Sequence, residues 1–155
     1  MPSADEIFSR LSARCSTAEL CLSDIHRKLD ATELTDEEKE RIIRRLLDEG
    51  YVDEARYARA FVRDKFRFSG WGRVKIAQGL HAKQISSADI QEALKEIDDD
   101  DYRRALRDAI VAKRRTLRGA SDYETNAKLI RFAQSRGYEM AVILKEIKGD
   151  GVDLD

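Results

Sequence analysis

Apolar residues recur along this chain at steps of three and four. Ile7, Phe8, Leu11 and Cys15 share one helical face, and so do Ala18, Leu22, Ile25 and Leu29. The pattern continues through Ile42, Ile43, Leu46 and Leu47, then Tyr57, Ala58, Phe61 and Val62, then Val74, Ile76, Ala77 and Leu80. Ile90, Ala93, Leu94 and Ile97 follow, then Ala105, Leu106, Ala109 and Ile110, then Leu129, Ile130 and Ala133, and last Ala141, Leu144 and Ile147. No segment alternates with a period of two, so the chain is predicted to be all-α, with about nine helices of roughly 10–20 residues. Helix starts are marked as well. Ser3-x-x-Glu6, Ser16-x-x-Glu19, Thr35-x-x-Glu38 and Ser121-x-x-Glu124 have the spacing at which a hydroxyl and a carboxylate cap each other's backbone N–H. Asp53 and Ser86 or Ser87 are further N-cap candidates. Gly50, Gly70, Gly119, Gly137 and Gly149 stand where helices are expected to end.

The helices group in threes. Tyr57-x-x-x-Phe61-Val62-x-x-Lys65 matches Ala105-x-x-x-Ala109-Ile110-x-x-Lys113. Ile76…Lys83-Gln84-Ile85…Ile90 matches Leu129…Arg136-Gly137-Tyr138…Ile143. The expectation is three tandem three-helix repeats, over residues 1–52, 53–97 and 98–148, with a flexible acidic tail at 149–155. Repeats that cannot each close their own core must stack on their neighbours.

Composition narrows the class. With 42% hydrophobic residues the chain can fill a core, and 38% charged residues make its elements two-faced. No apolar run approaches the 18 or so residues of a membrane span, so no membrane partner is expected. The start, Met1 to Glu6, has neither a basic cluster nor an apolar stretch, and a signal peptide is not expected. Cys15 and Cys21 fit no CxxC spacing, and in a helix-rich chain without a leader reduced thiols and a cytoplasmic location are the expectation. Net charge is −1, but it is uneven: −4 over residues 1–50, +4 over 51–95, −5 over 96–101 and +7 over 102–148.

Within the basic stretches the arginines are phased. At 100° per residue, Arg56, Arg59, Arg63 and Arg67 fall within about 80° of one another, and Arg103, Arg107, Arg114 and Arg118 within about 60°. Arg73 and Lys75 open the next helix beside Trp71. Such stripes suit a phosphate backbone or an acidic protein groove, and can equally be solvated helix faces. These ten residues are the candidate partner- and DNA-binding set. Aromatics set between basic residues, as in Phe66-Arg67-Phe68-Ser69-Gly70-Trp71-Gly72-Arg73, either stack on bases, anchor an interface or pack a helix corner. Corner packing is the expectation for Phe66 and Trp71. The run Asp98-Asp99-Asp100-Asp101 points in four directions on a helix start and reads as capping, not as a metal site. His26 and His81 belong to no catalytic or ligand motif, and no glycine-rich phosphate loop is present. No catalytic residue, metal or cofactor is expected, and the chain does not read as an enzyme.

Two stretches resemble a known family. Leu46-Leu47-Asp48-Glu49-Gly50-Tyr51-Val52-Asp53-Glu54-Ala55-Arg56-Tyr57-Ala58 resembles a signature of the RecX regulatory proteins of bacteria. Gly70-Trp71-Gly72-x-x-Lys75-Ile76-x-x-x-Leu80-x-x-Lys83-Gln84-Ile85 is similar to that family's next helix, and Ser16-x-x-Glu19-Leu20 and Arg136-Gly137-Tyr138 fit as repeat equivalents. Gln84 and Leu29 stand where the family usually has glycine, so those helix exits are expected to differ. The resemblance implies an elongated, curved array of stacked repeats. It further implies a non-enzymatic, monomeric modulator of the RecA recombinase. Such a protein would lie in the groove of the RecA–DNA filament and meet single- or double-stranded DNA there. It would reduce ATP hydrolysis, filament extension and strand exchange, in DNA repair and the SOS response. A helical-repeat DNA-binding protein with no recombinase partner is the alternative.

Overall fold

Each apolar periodic stretch contains a helix in the computed structural model, which describes residues 1–149, although Ala18 and Ile97 fall outside the helices they were grouped with. The elements are α1 (Ala4–Thr17), α2 (Leu22–Asp30), α3 (Asp36–Asp48), α4 (Glu54–Ser69), α5 (Arg73–Ala82), α6 (Ser87–Leu94), α7 (Asp99–Arg114), α8 (Asp122–Ser135) and α9 (Met140–Gly149). Among the described residues there is no strand. Two helices are shorter than the periodicity implies, α2 with 9 residues and α6 with 8. The acidic tail falls outside the described residues from Asp150 onward.

Most predicted caps form. Ser3 Oγ accepts from the Glu6 N–H at 3.2 Å, and Ser121 Oγ from the Glu124 N–H at 3.2 Å. Thr35 and Glu38 cap each other, with the Glu38 N–H on Thr35 Oγ1 at 3.2 Å and the Thr35 N–H on Glu38 Oε1 at 3.0 Å. Asp53 and Ser86 cap α4 and α6 through the Arg56 and Asp89 N–H groups. The Ser16 box does not form. Nothing breaks α1 before Thr17, so Ser16 lies inside it and donates to the Ser12 carbonyl, and Ala18 caps the helix end. Cys21 takes the N-cap place of α2, and Asp24 reaches back to its N–H at 3.4 Å. Leu29 is likewise no helix exit: it is a fully buried residue of α2, and the helix ends at Asp30.

The backbone contacts divide the chain into two compact units. The first comprises Met1–Phe61 with Leu80–Ala93, and the second Val62–Gly79 with the chain from Leu94. In the first, α3 packs on α1 and α2. Its core holds Ile7, Phe8, Leu11, Ile25, Leu29, Ile42, Leu46 and Val52. In the second, α7, α8 and α9 pack on one another around Leu106, Ile110, Leu129, Ala133, Ile143 and Ile147, all with no exposed surface. Each such leucine or isoleucine contributes roughly 1.5–3 kcal/mol of burial.

Candidate partner and nucleic-acid interface

Helix α4 presents the first arginine stripe, and its members divide by role. Arg56 is committed to the fold. Its Nε donates to Glu19 Oε1 at 2.6 Å, and its Nη2 to the Gly50 and Tyr51 carbonyls at 3.0 and 3.2 Å. The Glu19 hydrogen bond holds the Arg56 pKa above its ordinary value. Arg59, Arg63 and Arg67 make no ion pair among the described residues. Arg63 and Arg67 are exposed and line a cleft of about 300 Å3 with Val62, Phe66, Ile97, Glu96, Asp98 and Asp101. The three acids in its lining partly offset the field of the two arginines.

Arg73, at the start of α5, is also committed. Its Nη1 donates to Glu139 Oε2 at 3.1 Å and its Nη2 to Asp99 Oδ1 at 2.7 Å. The guanidinium lies 3.9 Å from the Tyr102 ring centre, and the Arg73 N–H donates to the Tyr102 hydroxyl at 2.9 Å. That hydroxyl donates in turn to Glu139 Oε1. Burial works against the charge on Arg73, but the Glu139 hydrogen bond prevails and raises its pKa. Burial, reinforced by Glu139, also pushes the Tyr102 phenol far up, so it stays a neutral donor.

The second stripe is shorter than its phase implies. Helix α7 ends at Arg114, so Arg118 falls in the turn beyond it and leaves the stripe. Arg103 pairs with Asp100, and Arg107 Nε donates to the buried Glu146 at 3.1 Å. Arg114 is half-buried. The acidic run separates as expected. Asp98 caps α7 through the Asp101 N–H at 2.9 Å, while Asp99, Asp100 and Asp101 pair with Arg73, Arg103 and Arg104. Among the described residues no three metal-ligating groups converge. His26 and His81 are exposed on α2 and α5.

Around Trp71 the structure assembles a group that the stripes did not single out. The ammonium groups of Lys65 and Lys75 each lie 4.7 Å from the Trp71 ring centre. Lys113 Nζ and the Arg136 guanidinium lie 5.5 and 5.1 Å from the Phe132 ring centre. Arg136 also reaches Gly70, where its Nη1 is 3.2 Å from the position of an added Cβ. Backbone bonds lock the two sets together, the Gly72 N–H on the Arg136 carbonyl at 2.7 Å and the Val74 N–H on that of Gly137 at 2.9 Å. Only Lys75 of these four cations belonged to the predicted set. The one local trace of the group is the interleaving of basic and aromatic residues around Trp71.

Comparison with known proteins decides the relationship. The family model described as RecX, second three-helix domain, matches residues 53–94, and RecX, third three-helix domain, matches residues 99–146. The chain belongs to the RecX family. A regulatory protein RecX of Pseudomonas fluorescens is 33% identical over 130 residues, covering 84% of this chain and 82% of that one. One from Vibrio parahaemolyticus is 31% identical over 119 residues, covering 76% and 74%. A crystal structure of RecX from Lactobacillus salivarius superposes with a TM-score of 0.88 at 17% identity, covering 97% of both chains. A further RecX crystal structure gives 0.84 at 22% identity, covering 94% of this chain and 73% of that one. The fold is thus the all-α repeat fold of the RecX family, and the relatives are named regulatory proteins. Among the described residues no helix is long and apolar enough to cross a membrane.

Proposed function

We propose that this chain is a non-enzymatic regulator of the RecA recombinase that binds the RecA–DNA filament and lowers its ATP hydrolysis, extension and strand exchange. The observation that carries this reading is the match of two RecX domains to residues 53–94 and 99–146, which together take in most of the two basic stretches of the chain. The repeats are taken as residues 1–52, 53–97 and 98–148, acting as a monomer in the cytoplasm. Arg59, Arg63 and Arg67 are the stripe residues available to a partner. Arg56, Arg73 and Arg107 serve first to hold the fold through carboxylate partners on other segments, and Arg103 pairs within its own helix.

The test is ATP hydrolysis by a cognate RecA–single-stranded DNA filament titrated with the full chain. Loss of hydrolysis at amounts well below one chain per recombinase is expected. Arg63→Glu with Arg67→Glu should raise the half-inhibiting amount at least tenfold while helix content is kept. Unchanged hydrolysis, with tight salt-sensitive binding to bare DNA, would replace this reading by that of a direct DNA-binding protein.

A further inference from the structure

We propose that the cleft beside α4 docks protein: it takes an apolar side chain of a recombinase subunit, flanked in that subunit by an acidic residue and a basic one. The proposal rests on the filament reading and deepens it, by naming which component of the filament this cleft meets. All of its lining belongs to the second compact unit. Val62, with no exposed surface, the buried Ile97 and the half-buried Phe66 supply the apolar part. The Phe66 ring packs on Tyr102 with centres 5.9 Å apart, and Tyr102 is itself held by Arg73 and Glu139. An occupant therefore meets a surface that is already ordered, and binding does not bear the entropy of ordering it. The volume of about 300 Å3 stands at the low end of the roughly 300–1,000 Å3 of ligand pockets, which is room for a side chain or two.

Charge selects protein over nucleic acid here. Arg63 and Arg67 stand one turn apart on α4, while Glu96 and Asp98 lie on the link from α6 to α7 and Asp101 in the first turn of α7. Asp98 caps α7 and Asp101 pairs with Arg104. Arg63, Arg67 and Glu96 are exposed, and among the described residues none of the three makes an ion pair. Both signs thus share one lining and are left unpaired for an occupant. A polyanion would satisfy the two arginines but bring its other phosphates against Glu96, Asp98 and Asp101. A protein segment offers both signs within a few residues. Its apolar side chain also covers the Val62, Phe66 and Ile97 surface, which a phosphodiester leaves bare.

The sign of one charge reversal separates the two occupants. Glu96→Lys adds positive charge to a basic stretch, so contact with DNA at this cleft requires the variant to act more strongly. Docking of a segment that carries both signs requires it to act more weakly. ATP hydrolysis by a cognate recombinase–single-stranded DNA filament is titrated with the full chain and with each variant. Glu96→Lys should raise the half-inhibiting amount about fivefold, with Glu96→Gln between it and the parent. Circular dichroism should show unchanged helix content. A second measurement does not depend on the sign of a charge. Glu96→p-benzoylphenylalanine is irradiated on a filament assembled on labelled DNA, and the products are separated under denaturing conditions. The adduct should form on the recombinase and carry no DNA label. Equal or stronger inhibition by Glu96→Lys at unchanged helix content would overturn the proposal, and so would an adduct on DNA or no adduct. Either result beside full inhibition by the parent removes the docking cleft alone. A parent chain that leaves hydrolysis unchanged removes the filament reading, and this proposal with it.

Discussion

Gln84 is the one described non-glycine residue with a left-handed backbone, at φ +62°. It closes the α5 turn, with its N–H on the His81 carbonyl at 2.9 Å and the Ile85 N–H on that of Leu80 at 3.1 Å. A side chain in this region costs about 1–2 kcal/mol, and glycine avoids that at some entropic expense in the unfolded chain. Gln84→Gly should therefore stabilise the protein by about 0.5–1 kcal/mol, read as a higher thermal midpoint; a lower midpoint would mean that the glutamine side chain stabilises the turn. Asp24 gives a second prediction at this scale. Burial raises its pKa, but the Lys83 ammonium at 2.8 Å and the Cys21 thiol and N–H outweigh that and hold it below the ordinary carboxylate value. A depressed folded pKa stabilises fully above the unfolded value of 3.8, and that stability is lost as pH falls through the folded value. Glu54 acts in the opposite sense, because burial lifts its carboxyl, and folding gains as it protonates. The urea midpoint should thus fall less steeply between about pH 5 and 3 in Asp24→Asn than in the parent, and more steeply in Glu54→Gln.

The junctions between elements carry the tightest contacts of the second unit. A Cβ on Gly72 would sit 2.5 Å from both C and O of Gly137, and one on Gly137 would sit 2.3 Å from the Lys75 Cβ. Gly137 also has φ +93°. The α4–α5 and α8–α9 junctions can meet through backbone hydrogen bonds only because neither position has a side chain. Gly72→Ala should cost about 3 kcal/mol or more in denaturant unfolding, as overpacking against backbone. Gly50→Ala, at φ +75° but in open space, should cost about 1 kcal/mol. Equal costs for the two would show that the junction relaxes. This contact also shows what the sequence makes legible. The caps at Ser3, Thr35, Asp53 and Ser121 are local and could be read directly, as could the helix periods. Gly70-Trp71-Gly72 reads only as a helix junction, because its partner lies far along the chain and leaves no periodic trace. The roles of individual basic residues are hidden for the same reason. Phase finds the face of Arg56, and its place beside Trp71 singles out Arg73, but their acids, Glu19 at 37 residues and Glu139 at 66, are placed by the fold. Arg118 was lost to a helix end that no glycine or proline marks. Ser16 misled because its spacing to Glu19 is right while the helix simply continues through it.

For the whole molecule, near-neutral net charge conceals an acidic first third beside strongly basic later stretches. In the filament reading, that acidity discourages loose binding to stray DNA while the basic domains engage the partner. Glu33, Glu37 and Glu40 are exposed on or just before α3, and among the described residues only Glu37 has an ion-pair partner, Arg41 at 4.0 Å. Replacing the three with glutamine shifts the charge of residues 1–50 from −4 to −1 and disturbs no cap or core contact. Screening acts over about 8 Å at physiological salt and about 30 Å at 0.01 M, so the effect must depend on salt. The triple variant should bind random-sequence duplex several-fold more tightly at low salt and no differently above about 0.5 M. Its half-inhibiting amount for filament ATP hydrolysis should hardly move without competitor DNA and should rise when duplex competitor is added, because the variant is drawn off the filament. A variant that binds duplex no better at low salt would remove any role for the acidic segment in partner selection and leave selectivity to the basic domains alone.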